Sequence, residues 1–219
     1  MKIGIIGAGH IGGTLARRLA ALGHDVALAN SRGPESLREL TAEIGATAVT
    51  VEDAVRDRDV VVVTIPLKAV PKLPRGLFGN ARAETVVIDT GNYYPQRDGR
   101  IEGIEQGTTE SAWVAQQIGR PVVKVFNNIY AKHLLEKGQP AGTPKRIALP
   151  VAGDDATAKR VVMNLVNELG FDPVDAGTLA ESWRQQPGSP VYGTDFDAAG
   201  VKTALAKATP ERAPEWRAK

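Results

Sequence analysis

The 219-residue sequence predicts an α/β fold built on a doubly wound, mostly parallel sheet. Short runs of Val, Ile and Leu recur along the chain with helical patterns of apolar residues between them, which is typical of repeated β-α-β units. The runs are apolar with little alternation, which indicates strands that helices cover on both faces. The predicted strands are residues 3–6, 26–29, 60–65, 85–89, 122–126, 147–151 and 171–174.

Helices are expected in the gaps between these strands. Proline suits the first turn of a helix and glycine commonly follows the last turn, and both markers bound residues 34–44. Asp154 is the expected N-cap of a later helix that ends at Gly170, because a carboxylate can accept a hydrogen bond from a first-turn amide. The other predicted helices are residues 10–22, 109–118 and 197–208.

The composition argues against several classes of function. The 27 Lys and Arg residues barely exceed the 25 Asp and Glu residues, so no basic surplus favours nucleic acid or an anionic membrane. Cysteine is absent and the three His residues are scattered, which predicts neither disulfides nor a metal site. The longest apolar stretch, near residues 60–67, is far shorter than the roughly 20 residues of a membrane helix. We expect a cytoplasmic protein that contacts neither nucleic acid nor membrane.

A glycine-rich motif follows the first predicted strand and opens the first predicted helix. Its sequence, GAGHIG, matches the G-x-G-x-x-G pattern of Rossmann-type dinucleotide-binding domains, although a glycine-rich turn without a ligand is the alternative. Gly7 permits the tight turn, Gly9 lets the backbone approach a pyrophosphate, and Gly12 lets the helix pack closely on the sheet. The candidate cofactor-binding residues of the motif are Gly7, Ala8, Gly9, His10, Ile11 and Gly12.

The residues after the second predicted strand favour NADP over NAD. An NAD site has Asp or Glu there, roughly 20 residues after the glycines, to bind the ribose 2′-hydroxyl. This chain has Asn30, Ser31 and Arg32 instead. A carboxylate would repel a 2′-phosphate, whereas a guanidinium beside a hydroxyl would bind it. We therefore expect NADP(H) as cofactor, with a solvated surface charge as the alternative interpretation of Arg32.

With these and later motifs, the chain resembles the coenzyme F420-dependent NADP oxidoreductase family and, more distantly, the reductase domain of the Steap metalloreductases. Members of the first family pass hydride between NADP and the deazaflavin F420. The resemblance runs from residue 1 to about residue 179. Besides the glycine motif, it is carried by Ser31-Arg32, VTIP at 63–66, IDTGN at 88–92, KVFNNI at 124–129, VAGDD at 151–155 and VDAG at 174–177.

Several of these motifs stand at carboxyl ends of predicted strands, where an open α/β sheet binds its ligand. The resemblance implies that Ile65 and Pro66 lie beside the adenosine and the nicotinamide ribose. A tight turn at Gly91 and Asn92 presents an amide to a ribose or carboxamide. Asn127 is a candidate partner of the nicotinamide carboxamide, and Ile129 a candidate contact of the ring. Polar turns at strand ends are the alternative interpretation.

We expect residues 1–180 to form the NAD(P)-binding Rossmann domain and residues 181–219 a C-terminal loop and helix that complete the acceptor site or a dimer contact. Residues 184–195 are rich in Pro and Gly, which predicts a loop, and the last residues have the composition of a loosely held tail. Here the chain departs from its relatives, which have an apolar helix that helps to form the deazaflavin pocket. They also often have His where this chain has Asn127, with His133 six positions later.

The expected function is NADPH-dependent hydride transfer from nicotinamide C4 to a planar acceptor, either F420 or a flavin-like molecule. This reaction needs stacked rings and the exclusion of water but no obligatory acid or base, and no catalytic residue is assigned. A small β-hydroxyacid or imine reductase and a non-catalytic NADPH-binding sensor or subunit are the alternatives.

Four aromatic residues are candidates for the surroundings of a flat substrate, although such residues more often belong to a core or an interface. We expect the loop at 184–193 to be a lid over the nicotinamide that brings Trp183 or Tyr192 onto the second ring, with a dimer arm as the alternative. Because the relatives are homodimers, we expect a homodimer with Trp183, Tyr192 and Phe196 as anchors. The four candidate aromatic residues are Tyr93, Tyr94, Trp183 and Tyr192.

Overall fold

The computed structural model describes residues 1–218 and confirms the predicted doubly wound α/β fold. Six strands form one parallel sheet; they are β1 Lys2–Ile6, β2 Asp25–Ala29, β3 Thr47–Ala48, β4 Val60–Val63, β5 Val86–Asp89 and β6 Val123–Lys124. Their order across the sheet is β3-β2-β1-β4-β5-β6, which is the order of dinucleotide-binding Rossmann sheets. Sequence analysis missed β3 because two residues make no recognisable apolar run.

Most helices before residue 140 connect these strands, and the last of them follows β6. The predicted helix at 34–44 is divided into a 3-10 turn, Pro34–Leu37, and an α-helix that ends at left-handed Gly45. Among residues 1–218, none of the helices combines the length and the apolar character needed to cross a membrane. The α-helices are α1 His10–Ala21, α2 Arg38–Ile44, α3 Val51–Val55, α4 Pro95–Asp98, α5 Glu102–Glu105, α6 Glu110–Ile118 and α7 Ala131–Glu136.

The last two predicted strands form a separate small sheet and do not extend the main one. They are β7 Ala148–Val151 and β8 Asp172–Asp175, which pair in parallel and are joined by the crossover helix α8 Ala156–Glu168. A single antiparallel bridge between Lys124 and Ala152 links this small sheet to β6. Both predicted strands and the helix predicted between them are therefore present, as a short β/α extension with its own two-stranded sheet.

Local backbone chemistry explains why the small sheet stays separate. Phe126 has a left-handed backbone with φ 63°, and this turn ends the strand predicted at 122–126 after only two paired residues. Pro150 and Pro173 lie within β7 and β8 and have no N–H to donate to a further strand.

The predicted N-cap at Asp154 is wrong by one residue. Asp155 caps α8, because its carboxylate accepts a hydrogen bond from Ala158 N at 2.8 Å. Asp154 instead accepts a hydrogen bond from Leu179 N at 2.8 Å and so ties the end of β7 to the C-terminal segment. A contact across 25 residues has no local sequence pattern, whereas either aspartate satisfies the pattern of an N-cap.

Alternate side chains of the strands enter two cores, one on each face of the main sheet. In β4, Val60 and Val62 pack on the face covered by α1 and α8, whereas Val61 and Val63 pack on the face covered by α3 and α6. Helices therefore shield both faces of the main sheet from solvent, as the continuous apolar runs predict. This double cover leaves the carboxyl ends of the strands as the place where a ligand can enter.

The C-terminal segment contains more regular structure than its composition predicts. A 3-10 helix, Leu179–Gln185, includes the first residues of the predicted loop at 184–195. The final α-helix, α9 Ala198–Lys207, agrees with its prediction and has Asp197 as N-cap. Residues 209–218 do not form a loose tail, because they pack back onto the domain beside α5 and α6.

Gly12 in α1 permits the closest approach of the helix to the sheet. A Cβ at Gly12 would lie 1.9 Å from the Gly7 carbonyl oxygen, whereas a Cβ at Gly13 would have its nearest neighbour at 3.9 Å. We therefore expect Gly12→Ala to destabilise the fold by about 1–3 kcal/mol, because the helix must move away from the turn.

The matched variant Gly13→Ala should stabilise the fold by about 0.5–1 kcal/mol, since alanine restricts the unfolded chain without a clash. Chemical denaturation of both variants gives the two free energies of unfolding. Equal effects of the two substitutions would contradict the close-packing argument.

Candidate dinucleotide site

A cavity of about 600 Å³ lies at the carboxyl ends of β1, β4, β5 and β6. In a Rossmann sheet, this edge at the reversal of strand order is where ligands bind. The structure brings together at this cavity nine of the fifteen residues that the sequence predicts as cofactor-binding. They are Gly9, His10, Ile11, Ile65, Pro66, Gly91, Asn92, Asn127 and Ile129.

The glycine motif has the geometry that close approach of a phosphate requires. Gly7 has φ 117°, and a Cβ there would lie 2.3 Å from the Thr64 carbonyl oxygen, so only glycine fits between β1 and β4. A Cβ at Gly9 would meet nothing within 4 Å among the described atoms, which leaves the backbone at the start of α1 open. No side chain of residues 1–218 caps this helix. Its first-turn amides and its dipole thus suit an anion.

Ala8 faces a second, smaller hollow beside the same loop. This hollow has a volume of about 380 Å³ and lies between α1 and α2, with Arg17 and Leu40 on its far side. Gly9 and His10 line both spaces, so the loop separates a hollow on the α2 side from the main cavity.

The residues predicted to bind the 2′-phosphate of the NADP ribose lie beside the glycine motif. Gly7 N donates to Ala29 O at 2.8 Å, which places the end of β2 next to the loop. Asn30 Oδ1 then accepts a hydrogen bond from Arg32 N at 2.9 Å, and Asn30 Nδ2 donates to Ser36 Oγ at 2.9 Å. Asn30 therefore shapes the turn that leaves Arg32 exposed.

Ser31 is exposed beside Arg32. Neither residue makes a side-chain hydrogen bond or an ion pair within the part of the chain that the structure describes. Their polar groups are therefore accessible to an external anion at the end of β2.

Asn127 belongs to a hydrogen-bond chain that joins two strand ends to the C-terminal segment. Its Nδ2 donates to Asn92 Oδ1 at 3.1 Å and to Gln185 O at 2.6 Å. Gln185 Nε2 returns a hydrogen bond to Asn127 Oδ1 at 3.0 Å and donates another to Pro150 O at 3.1 Å. Because both amide protons of Asn127 are used, this side chain holds the cavity wall and has no proton left to donate to a carboxamide.

Two buried charged residues hold Gly91, and sequence analysis assigned a role to neither. Asp89 Oδ1 accepts from Gly91 N at 2.9 Å, and its Oδ2 accepts from Ser111 Oγ at 2.6 Å. Lys124 Nζ donates to Gly91 O at 3.0 Å from a fully buried position. The sequence contained one signal for them, since Asp89 is a charged residue at the end of an apolar run and Lys124 interrupts the apolar run at 122–126.

Tyrosines form the outer wall of the cavity. The hydroxyl groups of Tyr94 and Tyr192 hydrogen-bond to each other, and the Arg97 guanidinium lies 4.7 Å from the centre of the Tyr94 ring. Burial and the contact with Tyr94 raise the pKa of Tyr192 well above its usual value, so this phenol keeps its proton at neutral pH. Tyr130 stands at the mouth with 59% of its surface exposed.

The other aromatic candidates do not line this cavity. Tyr93 is fully buried, and its hydroxyl donates to Gly99 O at 2.9 Å. His133 pairs with Asp195 at 2.8 Å. Trp183 lines a different cavity, between residues 186–190 and residues 209–213.

Most of the expected lid lies away from the main cavity. Within the segment 184–193, Tyr192 is the member that lines the main cavity among the residues described. Trp183 and residues 186–190 instead line a separate cavity of about 510 Å³, together with residues 209–213. The segment contributes one phenol to the wall, and its Pro-Gly portion packs against the C-terminus.

Comparison with known proteins agrees with this geometry. Residues 2–93 match the family described as NADP oxidoreductase, coenzyme F420-dependent. The hypothetical protein SMa0349 from Sinorhizobium meliloti is 32% identical; the alignment covers 90% of this chain and 95% of that protein, with a TM-score of 0.76.

Two further likenesses concern oxidoreductases. A proposed F420-dependent NADP reductase from Arthrobacter sp. FB24 is 24% identical over 83% of this chain and 87% of its own, with a TM-score of 0.67, which shows a shared fold. The rat metalloreductase STEAP3 is 28% identical over 181 residues, which are 83% of this chain and 35% of STEAP3. The chain spans about half or less of the length of the curated relatives it matches first. Residues 2–93 thus match the coenzyme F420-dependent NADP oxidoreductase family, and nearly the whole chain is related to SMa0349.

Proposed function

We propose that this protein is an NADPH-dependent oxidoreductase that reduces a planar acceptor held in the 600 Å³ cavity. One observation carries the proposal: the open glycine motif and the wall of tyrosines border the same cavity. A dinucleotide whose pyrophosphate lies at the start of α1 reaches the ends of β5 and β6 with its nicotinamide half. NADPH supplies a hydride from nicotinamide C4 when it is bound.

The end of β2 supports NADPH over NADH. No Asp or Glu stands among Asn30, Ser31 and Arg32, so nothing in that turn repels a 2′-phosphate. Arg32 and Ser31 supply a guanidinium and a hydroxyl, both exposed, and Asn30 holds the turn that presents them. One charge-assisted hydrogen bond contributes about 1.5–3 kcal/mol, which corresponds to at least roughly tenfold in affinity.

The outer wall supports an acceptor that takes up a proton together with the hydride. Tyr192 stays protonated at neutral pH because its phenol is buried, and its hydroxyl is paired with that of Tyr94. A positioned phenol can donate a hydrogen bond to the oxygen or nitrogen of the acceptor that takes up the proton. F420 and flavins satisfy this chemistry, since each gains a hydride at one ring atom and a proton at another.

The expected homodimer is part of the proposal. Of its three anchors, Trp183 and Tyr192 are half-buried in the walls of cavities, and Phe196 is 42% exposed. Phe196 is therefore the anchor that an isologous contact would bury. Sedimentation equilibrium at micromolar concentration should give twice the 23.3 kDa chain mass, and Phe196→Ala should lower it.

Arg32 provides the test of cofactor preference. We expect NADPH to bind at least about tenfold more tightly than NADH, and Arg32→Ala to remove most of that difference by weakening NADPH alone. Calorimetric titration measures both constants.

The matched control is Arg56→Ala, which removes an exposed arginine next to α3, at the amino end of the sheet. Equal affinities of the wild-type protein for NADPH and NADH would contradict the preference.

Tyr192 provides the test of reduction. With NADPH oxidation measured against F420, FMN, FAD, ferric chelates and quinones, we expect Tyr192→Phe to lower turnover roughly a hundredfold, because the hydrogen-bond donor is lost. The affinity for NADPH should stay unchanged, since the phenol is not among the residues that hold the dinucleotide.

Tyr130→Phe is the comparison variant, because Tyr130 also lines the cavity, is 59% exposed, and makes no side-chain hydrogen bond to another described residue. An equal loss in both variants would contradict a specific role of the phenol pair. If the wild-type protein binds NADPH but reduces none of these acceptors, the non-catalytic interpretation replaces the enzyme.

A further inference from the structure

The C-terminal residues 209–218 reach a largely buried ion pair. Arg212 Nη2 donates to Glu110 Oε1 at 2.8 Å, and the Glu110 side chain is fully buried at the start of α6. The Arg212 guanidinium also lies 5.2 Å from the centre of the buried Tyr93 ring. Residues more than 100 positions apart are thereby joined inside the domain.

The ion pair continues to the cavity wall. Glu110 Oε2 lies 3.6 Å from Lys124 Nζ, and both side chains are fully buried. The same Lys124 ammonium donates to Gly91 O at 3.0 Å. Gly91 lines the main cavity. A continuous chain of charged groups therefore runs from Arg212 in the C-terminal segment to the backbone of the proposed nicotinamide half of the site.

Arg212 and Lys124 are the two cationic partners of the buried Glu110 carboxylate. Burial raises the pKa of Glu110, and the attraction of Lys124 and Arg212 opposes that effect. Without Arg212, a buried carboxylate would have only Lys124 as a cationic partner, and uncompensated buried charge is strongly unfavourable. Lys124 would then be drawn toward Glu110 and away from Gly91 O.

The same segment also supports the outer wall of the cavity. The Trp216 ring centre lies 6.0 Å from that of Tyr94 and 6.2 Å from that of Tyr192. A Cβ at Gly188 would lie 2.7 Å from the Trp216 ring, so the Pro-Gly segment leaves room for this indole. Gln96 Nε2 adds a hydrogen bond to Glu215 O at 3.2 Å. Residues 209–218 thus contact both the outer wall of the cavity and the charged groups behind Gly91.

We propose that Arg212 is a positioning residue for the nicotinamide half of the site, acting through Glu110 and Lys124 on the Gly91 carbonyl. The inference rests on the proposed function, because it assumes that NADPH binds along the glycine motif. The positioning role predicts an effect on the binding of the nicotinamide half alone, whereas the proposed function concerns the whole dinucleotide. The adenosine half lies on residues that the C-terminal segment does not touch.

Two ligands distinguish binding at the adenosine half of the site from binding at the nicotinamide half. Adenosine 2′,5′-bisphosphate contains the adenosine half alone, and NADPH contains both halves. Calorimetric titration of Arg212→Met, which keeps the aliphatic stem and removes the charge, should show NADPH binding weakened about tenfold and adenosine 2′,5′-bisphosphate binding unchanged. Arg212→Lys keeps a charge opposite Glu110 and should restore part of the loss.

The matched control is Lys207→Met at the end of α9. It removes one positive charge from the same region, and Lys207 has no ion pair or side-chain hydrogen bond within residues 1–218. Both affinities should keep their wild-type values. If Arg212→Met does not fold, as thermal unfolding would reveal, Lys124→Met tests the same link with the same expected selectivity, because it also removes the hydrogen bond to Gly91 O.

Each remaining outcome is decisive. An equal loss for both ligands, or no loss for NADPH, overturns the positioning role while leaving the proposed function standing. If the wild-type protein binds neither ligand, the proposed function fails, and the positioning role fails with it.

Discussion

The contact of backbone with backbone at the start of α1 determines where the rest of the site lies. Gly12 packs on the carbonyl of Gly7, and Gly7 packs on the carbonyl of Thr64, with no side chain between them. These contacts hold the amino end of α1 between the ends of β1 and β4, where the strand order of the sheet reverses. The uncapped backbone amides at the start of α1 make this end of the cavity suitable for an anion. The other walls of the cavity are formed by the residues that follow β4, β5 and β6.

The wall at Gly91 is built on buried charge, which is an unusual foundation for a backbone turn. Asp89 holds the Gly91 N–H and Lys124 holds its carbonyl, so both polar groups of one residue are bound from below. Buried polar groups of this kind need complete hydrogen bonding, because an unmet one costs about 1–3 kcal/mol. Complete bonding makes the turn rigid, and a rigid turn gives a bound ring a defined surface.

The two halves of the site arise in different ways. The half proposed for adenosine uses residues close in sequence, namely the glycine motif and the turn after β2. The half proposed for nicotinamide combines the ends of β4, β5 and β6 with Tyr192 from the C-terminal segment. Because β6 has only two paired residues, its end is secured by side chains, notably the bonds between Asn127 and Gln185. The half proposed for nicotinamide therefore depends in part on the C-terminal region, where the chain departs from the family motifs.

The sequence by itself determined the sheet, its strand types and the glycine motif, because apolar runs and glycine spacing are local consequences of burial and backbone geometry. It also placed Asn127 at the cavity. Only the tertiary structure decided that Asn127 spends its amide protons on Asn92 and Gln185, that β7 and β8 form their own sheet, and that Arg212 reaches Glu110. These features join residues far apart in the chain. A hydrogen bond or ion pair of that kind depends on which elements the fold brings together, and no local pattern records it.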